Sequence, residues 1–186
     1  MAGRGVSDEP AFRAFLDEQR TRAAADSRAR ARRLRDQAAE ETTFTGLLGA
    51  AVERGERVTV GLVSGRRREG RPLGLGADYL VLAPRHGAPV YVALRAIVVV
   101  EVGRGAFGAG GAAPPTASPR VLADVLARWL GDGPHLTLHF SSADATRRGR
   151  LGSVGVDAIE LVADGPSPDR FVVPIGAIDE LVIEPR

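Results

Sequence analysis

The chain has 186 residues, 44% of them apolar, enough for two small globular domains. It has no cysteine, which excludes a disulfide framework and thiolate chemistry. Its longest apolar stretch, Tyr91 to Val102, is broken by Arg95 and Glu101, far short of the roughly 18 residues a membrane helix needs. Asp8 and Glu9 precede any apolar run, so neither a secretory leader nor a membrane partner is expected, and the expected location is cytoplasmic.

A pI of 9.8 suggests a polyanion partner, but every one of the 25 basic residues is arginine and the net charge is only +2. The distribution of charge says more. Residues 42–102 carry 8 arginines against 5 acids, and residues 119–186 carry 7 against 10. The two stretches are therefore +3 and −3, and a polyanion would favour the first.

Residues 1–41 form the first segment. Within it, residues 8–41 have no glycine and a single early proline, which predicts a helix capped by Ser7 or Asp8. Its apolar stripe is thin, and Arg28, Arg32 and Arg35 share one face. That face suits solvent or a ridge for RNA or DNA.

The rest of the chain says the same thing twice. Residues 45–102 lie over 123–183: Val58-Thr59-Val60-Gly61-Leu62 on Leu136-Thr137-Leu138-His139-Phe140, Asp78 on Asp157, and Ala96-Ile97 on Ala177-Ile178. This places one domain at 42–102, a Gly/Ala/Pro linker at 103–118, and a second domain at 119–186. Each repeat opens with a short helix. The first spans 43–54 and stops at Gly55; the second is capped by Ser118, has Pro119 in its first turn and ends at Gly131. Trp129 falls on Ala51 and is expected in the core or in helix packing rather than as a ligand platform. Five strands follow in each copy, at 57–63, 67–75, 78–83, 89–94 and 97–102, and at 135–141, 146–153, 157–162, 170–175 and 178–183. The predicted class is α+β, mainly β: an N-terminal helix, then two helix-led, five-stranded small barrels. The linker reaches roughly 20–25 Å, so the barrels could touch or separate.

The helix, the first strand, Ser64-Gly65, Gly70, Asp78 and Val92-Ala93-Leu94-Arg95-Ala96-Ile97 together resemble the Sm-like family, and SH3-like barrels more broadly. The branch containing the bacterial Sm-like RNA chaperone is the nearest in pattern. The resemblance covers both repeats. It implies barrels that join edge to edge through their fourth and fifth strands, form rings and bind single-stranded RNA. Arg95 would stand where the chaperone has a nucleotide-contacting histidine.

No catalytic constellation, metal site or cofactor is expected. His135 and His139 lie about 13 Å apart along one strand, too far to share a metal. The binding candidates are the hairpin arginines, Arg66, Arg67, Arg68 and Arg71 in one copy and Arg147, Arg148 and Arg150 in the other, which could grip phosphates or stack on bases. Comparing the copies gives a second candidate. Tyr79 and Val81 fall on Ala158 and Glu160, and Val98 and Val99 fall on Asp179 and Glu180. If the acids are solvated, repeat one has a covered apolar face that repeat two lacks. Two functions follow: a non-catalytic binder of single-stranded RNA or other nucleic acid through the basic hairpins, or a protein-assembly module using Tyr79, Val81, Val98 and Val99 together with the N-terminal helix. The assembly could be a homo-oligomer or the packing of one repeat on the other.

Overall fold

In this computed structural model the described residues are 20, 22, 24–33, 43–102, 118–141, 145–164 and 168–184. Residues 103–117 of the linker, Arg35 and most of the predicted N-terminal helix lie outside them. The helix α1 is described over residues 24–33, where Arg28 Nε donates to the carbonyl of Ala24 and Arg32 is exposed. The described residues from 43 onward belong to one compact unit that holds both repeats.

Repeat one consists of α2 (Phe44–Arg54), β1 (Val58–Leu62), β2 (Arg67–Leu75), β3 (Tyr79–Ala83), β4 (Val90–Ala93) and β5 (Ile97–Val102). Repeat two consists of α3 (Leu122–Trp129), β6 (His135–Phe140), β7 (Thr146–Val154), β8 (Ala158–Val162), β9 (Arg170–Pro174) and β10 (Ile178–Glu184). A one-turn 3-10 helix, Leu94–Ala96 or Ile175–Ala177, leads into each fifth strand. Thr43 caps α2 through its side chain, and Gly55 closes it in the left-handed conformation at φ 62°.

All pairings are antiparallel and join the ten strands in one sheet, ordered β5-β1-β2-β3-β4-β10-β6-β7-β8-β9. Each repeat contributes its fifth strand beside its first, followed by the second, third and fourth. β2 pairs with β1 over residues 67–70 and with β3 from residue 71, so it bends at Gly70; β7 pairs with β6 over residues 146–150 and with β8 from residue 150, with Gly149 in the place of Gly70. A Cβ at either glycine would sit 2.8 or 2.7 Å from a carbonyl oxygen of the next strand, so the bend needs glycine. Matched bulges follow, at Leu73 and Gly152 and again at Val98 and Asp179.

Two apolar clusters form the core, and each crosses the repeat boundary. Leu48, Val60, Leu80 and Leu82 pack in repeat one with Val182 of repeat two against them. Leu126, Leu138, Ile159 and Leu181 pack in repeat two together with Tyr79, Val81 and Tyr91 of repeat one.

Two expectations need correction. α3 begins at Leu122, three residues after Pro119, because residues 118–120 are held elsewhere: Ser118 N–H donates to the Leu75 carbonyl and Ala77 N–H to that of Arg120. Trp129 is 40% exposed and is not a core side chain. Among the described residues, no helix is long and apolar enough to cross a membrane.

Candidate functional site

The sheet passes from one repeat into the other where β4 meets β10, with Val92 opposite Glu180, Tyr91 opposite Leu181 and Val90 opposite Val182. Strand pairing leaves the side chains on either side to decide which edges fit. Here two buried carboxylates are held by partly exposed arginines. Glu180 has no solvent exposure, and Arg68 grips it side-on, Nε to Oε1 at 2.7 Å and Nη2 to Oε2 at 2.9 Å. Arg66 Nη1 adds a third contact to Oε2 at 3.3 Å. Asp179, only 1% exposed, takes Arg95 Nη1 at 3.0 Å, while Arg95 Nη2 donates to the Ile178 carbonyl at 2.6 Å. All three arginines belong to repeat one and both acids to repeat two, in the sense of the +3 and −3 charges.

This reverses one expectation. Asp179 and Glu180 are not solvated, whereas Val98 and Val99 are 63% and 48% exposed. The buried fifth strand belongs to repeat two. A carboxylate enters an interior when guanidinium groups replace its lost water, and three are present.

The other half of the joint is apolar. Tyr79 is buried among repeat two's core residues, and its ring lies 5.9 Å from that of Tyr91, tilted by 46°. Val81 packs beside them. A Cβ on Gly76 would fall 2.2 Å from the Tyr79 ring, so glycine there admits the aromatic side chain. Burial, assisted by the Asp78 carboxylate, raises the Tyr79 phenol above its ordinary 10.0. Asp78 has a further role: its Oδ1 accepts from the Leu122 backbone N–H at 2.8 Å, so an aspartate of repeat one caps the helix of repeat two.

The structure thus divides the arginine candidates. Arg66, Arg68 and Arg95 are engaged in the joint. Arg67 pairs with Glu101, and Arg148 with Glu184. Arg71 lies against Gly55 at the C-terminus of α2. Arg147 donates to the Thr146 carbonyl and stands 5.8 Å over the Phe171 ring. Arg150 lines an open cleft of about 380 Å³ with Arg170 and Glu160. Asp179 and Glu180 are the site residues that pattern reading missed. The available signal was the placing of two acids on a strand that is apolar in the other copy.

His139 lies on the margin of the joint, its Nδ1 3.0 Å from Thr146 Oγ1. Burial lowers its pKa from the ordinary 6.5; Arg66 and Arg68 push the same way and Glu180 opposes them. A histidine held neutral in the folded state binds its proton first in the unfolded chain. Stability is therefore expected to be complete at neutral pH and to fall as pH drops below about 6.5. Melting temperatures from pH 7.5 to 5.5 should show this slope, and His139→Gln should flatten it. Glu184, lowered from 4.5 by bonds from Thr137 and Arg148, acts separately, losing its contribution only in more acid solution.

Among the described residues, no group of three His, Cys, Asp or Glu side chains could hold a metal. Comparison with known proteins finds no matching family model and no matching curated protein, so function must be argued from the joint itself.

Proposed function

We propose that this chain is a non-catalytic assembly module, two Sm-like small barrels fused in tandem, which holds protein units together along the edges of its sheet. The carrying observation is the β4–β10 pairing. One repeat receives another by adding a strand to its edge, sealing the seam with Tyr79 and locking it with buried ion pairs. Main-chain hydrogen bonds give such a junction strength and the flanking side chains give it selectivity. The outermost strands, β5 and β9, remain available for the same use.

Light scattering coupled to size exclusion tests this directly. The expected result is a particle heavier than the 19.5 kDa chain. A monomer at every concentration would overturn it.

Single-stranded RNA is the second function, favoured by the exposed Arg147, Arg148 and Arg150 on β7 and by Arg67 and Arg71 at the matching edge of β2. It ranks below assembly because Arg66, Arg68 and Arg95 are already matched by the buried carboxylates of repeat two. If RNA is the ligand, fluorescence anisotropy with a labelled single strand will show affinity that falls steeply with salt. It will also drop when Arg147, Arg148 and Arg150 become Ala. No binding at low salt would end this alternative.

A further inference from the structure

A cleft of about 380 Å³ opens on repeat two between the turn that follows α3 and strands β7, β8 and β9. All of its lining residues belong to repeat two. Its size is at the lower end of the range for small-molecule sites, about 300–1,000 Å³. Repeat one shows which residues make it. It builds the same strands with Glu53, Leu73, Val81 and Pro89 where repeat two has Gly131, Gly152, Glu160 and Arg170. Gly152 is the bulged residue of β7, and Leu73 makes the same bulge in β2, so the fold does not demand glycine there. What glycine gives is room. A Cβ on it would stand 3.2 Å from Val162 Cγ2 and 3.3 Å from Glu160 Oε2, both in the cleft wall.

Arg150 is also placed differently from its match in repeat one. Arg71 brings Nη2 and Nε to 2.9 and 3.0 Å from where a Cβ on Gly55 would stand, so its guanidinium lies on that glycine. Arg150 passes Gly133 with its Cδ and Cγ, at 3.7 and 3.8 Å, and its guanidinium projects beyond into the cleft. Among the described residues no carboxylate pairs with it, whereas Arg66, Arg67, Arg68 and Arg148 are each paired. The opposite wall is fixed. Glu160 accepts from Arg170 Nη1 at 2.9 Å and from Ser153 Oγ at 3.3 Å. A carboxylate has about four lone-pair sites, so Glu160 can accept further donors.

A guanidinium with parallel N–H groups to offer matches a carboxylate or a phosphate through two hydrogen bonds. The acids of the cleft decide between the two. Asp132 and Glu160 line it together with Arg150 and Arg170, so the four charges cancel. A phosphate dianion would meet two like charges there, and a simple cation two opposed guanidinium groups. A ligand with no net charge but separated charged ends meets neither penalty. We propose that this cleft binds a free amino acid as its zwitterion, with the carboxylate on Arg150 and the ammonium group toward Glu160 and Asp132. The site lies wholly within repeat two and is separate from the assembly function proposed above.

Amide chemical shifts of the isotope-labelled full chain test this, because Gly131, Gly133 and Gly152 report from different sides of the cleft. Each of the standard amino acids is titrated in turn, alongside acetate, methylammonium and inorganic phosphate. The best amino acid is expected to move all three glycine signals. Acetate, methylammonium and phosphate, which carry half of the ligand or the wrong charge, should bind at least about tenfold more weakly. Arg150→Gln should weaken that amino acid by at least about tenfold, and Glu160→Gln should narrow its advantage over acetate. Gly152→Leu, which installs the residue of repeat one, should remove the response by filling the cleft. Circular dichroism spectra matching the wild type show that each variant is folded. No response to any amino acid, or acetate or phosphate binding as tightly as the best of them, overturns the proposal. So does a response that survives both Arg150→Gln and Gly152→Leu, since the ligand then binds elsewhere.

Discussion

Arg68→Ala is expected to lower the unfolding free energy by about 3 kcal/mol, the low end of the range for breaking a buried ion pair. The cost arises on the other partner. Glu180 has no exposure, and Arg68 supplies two of its three guanidinium contacts, at 2.7 and 2.9 Å. Without them the carboxylate is held only by Arg66 at 3.3 Å, at a position that has no solvent exposure in the intact joint. The low end applies because Arg66 remains. Against a typical domain stability of 5–15 kcal/mol the loss is large. Repeat one itself shows how to repair it, since it has Val99 at the position of Glu180. Arg68→Ala/Glu180→Val should return to within about 1 kcal/mol of the wild type, because an apolar replacement leaves no charge to compensate. Guanidinium unfolding of the wild type, both single variants and the double variant gives the coupling energy. A loss below about 1 kcal/mol for Arg68→Ala would mean that water reaches Glu180 and that the seam is not sealed.

The same pair shows where pattern reading stops. Periodicity in Val58 to Leu62 and Leu136 to Phe140, with matched glycines and Asp78 over Asp157, was sufficient to place helices and ten strands, because those signals are local. The environment of Glu180 is not local. Its partner Arg68 is 112 positions away, so an acid on a strand resembles a solvated residue until the sheet is assembled. The start of α3 is a similar case. Ser118 and Pro119 are good helix-start residues, but the Leu75 and Arg120 hydrogen bonds draw this stretch to the β2–β3 turn, and Asp78 supplies the cap from the other repeat. The arginines of β2 and β7 were legible as a cluster; their carboxylate partners on other strands were not. Comparing the copies singled out Tyr79 and Val81, which lie in the joint. It took Asp179 and Glu180 for solvated because it judged each residue by its own polarity, and a buried strand can be polar when its neighbour is complementary.

Tyr79→Ala is expected to cost about 3–5 kcal/mol, the usual range for truncating a buried aromatic side chain. The damage should appear in the repeat that does not contain the residue. Tyr79 is on β3 of repeat one, but the residues around it are Leu122, Leu126, Ile159 and Leu181 of repeat two, with Tyr91 beside it. The matching residue of repeat two is Ala158, so the chain has one such aromatic anchor and not two. Trp129, the only tryptophan, is the last residue of α3 and gives a local optical probe of repeat two. Its fluorescence transition should move to lower denaturant together with the far-ultraviolet signal in Tyr79→Ala, as one cooperative step. If the tryptophan transition stays in place while the overall signal shifts, the repeats unfold independently and the shared core is not a stabilising seam. Coincident movement makes the joint part of the folding unit itself. An edge able to do this inside one chain, where Tyr79 and Glu180 seal it, has in β5 and β9 the same backbone geometry with its apolar faces still uncovered.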